Sequence, residues 1–242
     1  MKKKEVLEKI ENEIIVSCQA YEPNPFASVE DMVKMAKAAV MAGTKGLRVN
    51  HPDYVSAIRK AVGDEIIIIG IWKMMIDGSD VYITLNMEAV DALVEAGSNI
   101  IALDCTDRVN AFGYKGYDLV PLIKEKYPDI VIMADCANLK EVKLAKDVGV
   151  DIVSCTLSGY TQETSHLKSD TADFDLIKSM SQLEDVFVIA EGKVWTREDA
   201  IKCFENGANA VVIGTAITSP WKIAQRFLKA KEDYFKGGNN ED

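Results

Sequence analysis

The chain has 242 residues, 48% of them hydrophobic, and carries a formal net charge of −10 at pH 7. This acidic balance argues against nucleic-acid binding, which needs a basic surface, and no apolar run approaches the roughly 18 residues that a membrane helix needs. Five cysteines without close pairs, and a basic start with no apolar segment of a signal peptide behind it, predict a cytoplasmic protein.

The first predicted element is a helix over residues 1–13, where lysine and glutamate alternate. Eight apolar runs of strand length follow, namely IIVSC, GLRV, IIIIGI, NIIAL, IVIMA, DIVSC, VFVIA and AVVIG. Because none alternates cleanly with polar residues, they predict parallel strands that are covered on both faces. Amphipathic segments lie between them, and one begins at a capping-box-like pair, Ser28 and Asp31, and ends at Gly43. Residues 236–242 are predicted to be a frayed tail.

The ends of the predicted helices repeat along the chain. A glycine, two linking residues and a strand recur at Gly43, Gly97, Gly149 and Gly207, at intervals of 54, 52 and 58 positions. Each interval holds two βα units of about 30 residues. This predicts an α/β fold over residues 1–242, a single (β/α)8 TIM barrel with an N-terminal helix. A doubly wound open sheet is the alternative, but no Gly-rich nucleotide loop marks its switch point.

Polar residues stand where the predicted strands end, which is where barrel enzymes carry their active sites. They are Gln19, Arg48, Lys73, Asp104, Asp135, Thr156, Glu191 and the pair Gly214–Thr215. Two cations and three carboxylates at one mouth predict a small, polar, anionic substrate.

Lys73 ends the apolar run IIIIGIWK, and burial there lowers the pKa of a lysine toward general-base or Schiff-base chemistry. The alternative is a structural ion pair with Glu191, and Arg48 is equally compatible with such a pair. Asp104 and Asp135 each fit catalysis or the capping of a following turn.

The loops after the last two strands predict a phosphate site. Gly192, Lys193, Gly214 and Thr215 lie in them, and barrels often bind phosphate there with backbone N–H groups. The alternative is that the glycines only fit tight βα turns. No metal is predicted, because the chain has only two histidines and a magnesium site on the strand-end carboxylates has little support.

The motifs IVSCQA, LRVN, IGIWK with DVYIT, IALDCT, IMADC, CTLSGYT, VIAEGKV and VIGTAIT, in this order, resemble N-acetylmannosamine-6-phosphate 2-epimerases. The similarity runs from about Ile14 to Phe227. It implies a cytoplasmic TIM barrel of sialic-acid catabolism that interconverts N-acetylmannosamine 6-phosphate and N-acetylglucosamine 6-phosphate. The resemblance implies no cofactor, and it is compatible with a homodimer.

The resemblance also implies roles for single residues. Lys73 would remove the proton from the carbon that bears the acetamido group, and Glu191 would act near the hydroxyls of the opened ring. Substrate-binding positions are Gln19, Arg48 and Asp135, to which we add Thr156 from the strand ends. Gly192, Lys193, Gly214 and Thr215 would surround the phosphate.

The sequence departs from the family pattern at three places, one of which is the ITPT-like segment, altered here to Ile83-Thr84-Leu85-Asn86. Met74 and Met75 follow the lysine, where the family usually has Arg-Asp, and Ser219 replaces an arginine near the expected phosphate site. Lys193 is a candidate to compensate for that arginine. Two other functions stay open: a lyase in which Lys73 forms a Schiff base, and a non-catalytic sugar-phosphate binder.

Overall fold

The structure is a computed structural model that describes residues 1–167 and 169–237. Within these residues eight parallel strands close into a barrel, each paired with the next and the eighth paired with the first. They are β1 (Ile14–Cys18), β2 (Gly46–Asn50), β3 (Ile67–Ile71), β4 (Ile100–Asp104), β5 (Val131–Asp135), β6 (Ile152–Ser154), β7 (Phe187–Glu191) and β8 (Ala210–Ile213). The predicted (β/α)8 barrel is confirmed, and the open sheet is excluded.

Helices alternate with the strands throughout the described part of the chain. They are α1 (Lys3–Ile10), α2 (Val29–Met41), α3 (Pro52–Val62), α4 (Met87–Glu95), α5 (Gly116–Lys126), α6 (Leu139–Asp147), α7 (Phe174–Met180), α8 (Arg197–Glu205), α9 (Thr215–Thr218) and α10 (Pro220–Gly237). The predicted N-terminal helix is α1. The predicted start of α2 is confirmed, because Ser28 Oγ accepts the backbone N–H of Asp31 at 3.1 Å.

The apolar run of β3 is divided between two layers of the core. Ile67, Ile69 and Ile71 pack inside the barrel, whereas Ile68 faces the layer of helices. All four are fully buried, and burial of each such side chain stabilises the fold by about 1.5–3 kcal/mol. This is why the run shows no alternation with polar residues. Helix α1 packs Ile10 against the same inner cluster.

The same alternation on β2 places polar side chains inside the barrel. Leu47 and Val49 pack in the helix-facing layer, so Arg48 and Asn50 point to the interior. Arg48 is 1% exposed. An arginine at this depth needs carboxylate partners, and the strand thereby sets up the site at the mouth.

Helix α10 differs from the helices around the barrel, because no residue from 220 to 236 is buried. It contacts α9, and its large apolar side chains lie along one face, with Phe227 75% and Tyr234 76% exposed. The predicted tail overlaps the end of α10 at Lys236 and Gly237, and residues 238–242 lie outside the described residues. Among the helices that the structure describes, none has the length and apolar character to cross a membrane.

Candidate active site

A cavity of about 550 Å³ opens at the C-terminal ends of the strands. The predicted site residues that line it are Gln19, Arg48, Lys73, Thr156, Glu191, Gly192, Lys193, Gly214 and Thr215. Two strand-end carboxylates, Asp104 and Asp135, do not line the cavity. Asp135 lies deeper in the barrel. It is fully buried below this lining, and its carboxylate faces Arg48 rather than the cavity.

Arg48, on β2, is held by two carboxylates that come from β5 and β7 on the far side of the barrel. Its guanidinium donates to both oxygens of Asp135, at 3.1 and 2.5 Å, and to Glu191 Oε2 at 2.8 Å. Burial opposes the charge of Arg48, but the two carboxylates outweigh it and raise its pKa above the usual value. Thr156 Oγ1 donates to Asp135 at 2.8 Å, which adds a neutral partner. The guanidinium is thus fixed in place beneath the cavity.

Lys73 lies just past β3, in an arm that we define as residues 72–86. The arm folds back on itself: Lys73 forms an antiparallel bridge with Ile83, and Ile83 O accepts the N–H of Asp104 at 3.2 Å. The Lys73 N–H also donates to Asn50 Oδ1 at 2.8 Å. The backbone that carries the lysine is therefore tied to β2 and, through the returning half of the arm, to β4.

The Lys73 ammonium has no carboxylate at ion-pair distance among the described residues, since Glu191 is paired with Arg48. Burial and the nearby charge of Arg48 lower the pKa of Lys73 to about 8, against the opposing effects of Glu191 and Asp135. The Nζ atom lies 5.6 Å from the ring centre of Tyr21. A pKa of about 8 leaves roughly a tenth of the amine neutral at pH 7, far more than the usual pKa of 10.5 would, and a general base needs this neutral form.

The pKa of Glu191 is shifted in the opposite direction, upward from its usual value. Burial raises its pKa to about 7, while the charges of Arg48 and Lys73 oppose the shift. The cavity thus holds a carboxylic acid whose pKa is raised and an amine whose pKa is lowered. Both groups exchange protons readily near neutral pH, which is the arrangement expected of acid–base catalysts.

The loops after β7 and β8 form a second part of the cavity wall. Gly192 and Lys193 both have positive φ, 105° and 58°, and the first of these conformations favours glycine. A Cβ on Gly214 would come within 3.3 Å of Ser17 Cβ, so the β8 loop approaches β1 closely. The Lys193 Nζ lies 5.3 Å from the ring centre of Tyr160. Gly192, Gly214 and the Lys193 ammonium thus lie together along the part of the cavity wall that follows β7 and β8.

The structure agrees with the interpretation that Asp104 caps the turn after its strand. Its Oδ1 accepts the N–H and the hydroxyl of Thr106, at 3.1 and 2.6 Å, and its Oδ2 pairs with Arg108 at 2.8 Å. The strand-end carboxylates are thus divided between two arginines. Among the described residues, no group of three or more His, Cys, Asp or Glu side chains is arranged to hold a metal ion.

Several residues that line the cavity were not predicted as site residues. Tyr21, Tyr82, Tyr160, Trp195 and Lys222 lie in its wall. The first three had a signal in the sequence, because Tyr82 and Tyr160 belong to the DVYIT and LSGYT motifs and Tyr21 follows Gln19 by two positions. Trp195 follows Lys193 by two positions and had the same kind of signal, whereas Lys222 had none, because it reaches the mouth from α10.

The departures from the family pattern fall in different places. Met74 and Met75 do not line the cavity, and Met75 is 80% exposed on the arm. Ser219 does line it, as does Ile83 of the altered segment at residues 83–86. The first departure therefore lies outside the cavity wall, whereas the other two reach it.

A closed parallel barrel with acid, base and cation gathered at the C-terminal ends of its strands defines a (β/α)8-barrel enzyme. The family model described as "Putative N-acetylmannosamine-6-phosphate epimerase" matches residues 32–233. The chain belongs to this family.

Similar proteins agree with this assignment along most of the chain. A relative from Caldanaerobacter subterraneus subsp. tengcongensis, named "Putative N-acetylmannosamine-6-phosphate 2-epimerase", is 43% identical and covers 93% of each chain. A relative of the same name from Clostridioides difficile is 41% identical over 94% of this chain and 99% of its own. The solved structure of the N-acetylmannosamine-6-phosphate 2-epimerase from Clostridium perfringens superimposes with a TM-score of 0.86 at 36% identity, covering 93% of this chain and 95% of that one.

Proposed function

We propose that the protein is an isomerase that converts N-acetylmannosamine 6-phosphate to N-acetylglucosamine 6-phosphate by inverting C2. The observation that carries the proposal is the Lys73 amine, with its pKa lowered to about 8, in a cavity that it shares with Glu191 and Arg48. The names of the relatives support the choice of sugar.

The chemistry follows from the position of the C2 hydrogen. Once the sugar ring opens, this hydrogen is α to an aldehyde, and the neutral Lys73 amine removes it as a proton. The electron pair of the C–H bond forms the C1–C2 double bond, and the π pair of the carbonyl moves to its oxygen. The resulting enolate is stabilised by the positive charge of Arg48. Return of a proton to the opposite face of the planar enolate inverts C2. No electrons leave the sugar, so the reaction needs no cofactor.

The remaining residues bind and position the substrate in this proposal. Glu191 exchanges protons with the hydroxyl groups during ring opening, which suits its pKa of about 7. Gln19 and Thr156 contact the sugar. Gln19 donates to Ser17 Oγ at 2.8 Å, while its Oε1 is buried without a partner among the described residues. This oxygen is therefore available to accept a hydrogen bond from the substrate.

Asp135 acts as a positioning residue rather than a direct contact, because it lies below the cavity and holds Arg48 on two of its nitrogens. The phosphate lies against Gly192, Lys193, Gly214 and Thr215 at the ends of β7 and β8, where barrels commonly bind this group.

A proton NMR time course with N-acetylmannosamine 6-phosphate in D2O tests the function. We expect N-acetylglucosamine 6-phosphate to form with deuterium at C2. Exchange without epimerised product would contradict the proposed sugar, and the absence of both exchange and product would contradict the proposed base chemistry. Trapping of substrate on Lys73 by borohydride would favour a Schiff-base lyase instead.

We also propose a cytoplasmic homodimer. The cytoplasmic location fits the cysteines, which are all free and buried. The dimer is supported by the apolar face of α10, where Phe227, Leu228, Tyr234 and Phe235 are exposed, because an amphipathic helix of this length needs a partner for that face.

Sedimentation velocity at micromolar concentration checks the dimer. We expect twice the mass of one chain for the wild type and the mass of one chain for Leu228→Glu, because a charge at an apolar interface is costly. Lys229→Glu, next to it on α10, serves as the matched control and should remain dimeric. A monomeric wild type would contradict this part of the proposal.

A further inference from the structure

Four cationic side chains of the described residues line the cavity, namely Arg48, Lys73, Lys193 and Lys222. Arg48 is already paired with Asp135 and Glu191, and Lys73 must be neutral to act as a base. A phosphomonoester carries close to two negative charges at neutral pH. The two remaining ammonium groups, Lys193 after β7 and Lys222 after β8, match that charge.

Lys222 reaches the cavity from the first turn of α10. Four residues further along, the Arg226 guanidinium carbon lies 4.1 Å from the ring centre of Trp195, in the loop after β7. Residues four apart share one face of a helix, so Lys222 lies on the face that α10 turns toward the loops after β7 and β8. Ser219, one turn before Lys222, lines the same cavity.

The Lys222 ammonium is not neutralised by a carboxylate among residues 1–167 and 169–237. Its Nζ lies 4.0 Å from the ring centre of Trp221, and both side chains line the cavity. A cation over an aromatic ring contributes only about 0.5–1 kcal/mol at an exposed site. A charge-assisted contact with phosphate is stronger, so the ammonium can leave the ring for the ligand.

We propose that Lys222 is a phosphate-binding residue, which acts with Lys193 on the 6-phosphate from the α10 side of the mouth. It supplies a positive charge that Ser219, one helical turn earlier, does not carry. The inference rests on the proposed function for the identity of the sugar phosphate. The chemistry it assigns to Lys222 is the recognition of a phosphomonoester dianion.

Two matched variants test the role of Lys222. Lys222→Gln keeps the length and polarity of the side chain without its charge. Lys229→Gln makes the same change two turns further along α10, at an exposed lysine that does not line the cavity. We expect Lys222→Gln to raise both the KM for the phosphosugar and the Kd for inorganic phosphate by about tenfold, with the effect on KM rather than kcat. Lys229→Gln should match the wild type in both measurements.

Calorimetric titration with inorganic phosphate separates this inference from the proposed function, because it needs no turnover. Weaker phosphate binding by Lys222→Gln alone supports the role of Lys222 even if the wild type fails to epimerise the sugar. Turnover and phosphate binding that are equal in Lys222→Gln, Lys229→Gln and the wild type would overturn the inference and leave the proposed function standing. Equal loss in both variants would also overturn it, since a general charge effect would then explain the result.

Discussion

Replacement of Lys73 by methionine is expected to lower kcat by about 10³-fold and to make the protein more stable at neutral pH. The kinetic loss follows from removal of the base, since a positioned general base contributes about 10²–10⁴-fold. The stability gain follows from the folded-state pKa of Lys73, which is about 8 against a usual value of 10.5. Below pH 8 the folded protein must hold a charge that its surroundings disfavour, at a cost on the order of 2 kcal/mol.

The pH dependence of this gain has a definite sign. The unfolded chain binds more protons than the folded chain between pH 8 and pH 10.5, so the penalty is full below pH 8 and disappears as the pH approaches 10.5. Urea unfolding of the wild type and of Lys73→Met at pH 7 and at pH 10 measures this penalty. Lys60→Met, at an exposed lysine of α3, is the control and should change the unfolding free energy by less than about 0.5 kcal/mol. A Lys73→Met enzyme that still exchanges the C2 hydrogen would contradict the assigned base.

The pH dependence of activity should also reflect the protonation of Lys73. We expect kcat/KM of the wild type to rise with pH and to level off above pH 8, as Lys73 loses its proton. The charge of Glu191 raises the pKa of Lys73, so Glu191→Gln should move this rising limb to lower pH, besides reducing the rate. A limb that stays in place would show that the two groups are not coupled.

Replacement of Arg48 by methionine is expected to cause the largest loss of stability. The change leaves the fully buried Asp135 and the nearly buried Glu191 without their cation, and breaking a buried pair in this way costs about 3–5 kcal/mol. Equilibrium unfolding in urea at pH 8 measures the loss. The same change at Lys34, which forms an exposed pair with Glu30, should cost no more than about 0.5 kcal/mol.

The stability deficit of Arg48→Met should shrink as the pH falls. Without the arginine, burial raises the folded-state pKa of Glu191 further, so acid protonates this carboxylate in the folded protein first and relieves part of the cost. The double variant Arg48→Met/Asp135→Leu should recover part of the loss at pH 8, because it removes one unpaired charge. A deficit that is independent of pH and is not reduced in the double variant would show that lost packing is the cause.

The sequence predicts the barrel well because buried parallel strands have no polar face to interrupt them, as the run of β3 shows. It also brings Arg48, Lys73 and Glu191 to one mouth, since strand ends of a barrel converge. The partners of each carboxylate are less predictable. Asp104 and Asp135 occupy equivalent positions on neighbouring strands, yet one pairs with Arg108 four residues away and the other with Arg48 from β2.

Lys222, which reaches the cavity from α10, was not predicted from the sequence for a physical reason. The position of Lys222 depends on how α10 sits against the loop after β7, and this is set by a contact between Arg226 and Trp195. That contact joins residues that are 31 positions apart in the chain, so no local sequence pattern predicts it. Likewise, the sequence alone does not show that the apolar face of α10 is exposed, because exposure depends on which elements of the fold pack against that face.

In the arm after β3, the backbone at Lys73 is fixed independently of the residues at the exposed end of the arm. Lys73 and Ile83 are fixed at the root of the arm, while Met75 and its neighbours form an exposed tip. Insertions or exchanges at residues 75–80 would therefore change the outer surface without shifting the amine. Evolution and protein engineering alike can use this tip as a variable region, in which new contacts are tried while the proton chemistry stays unchanged.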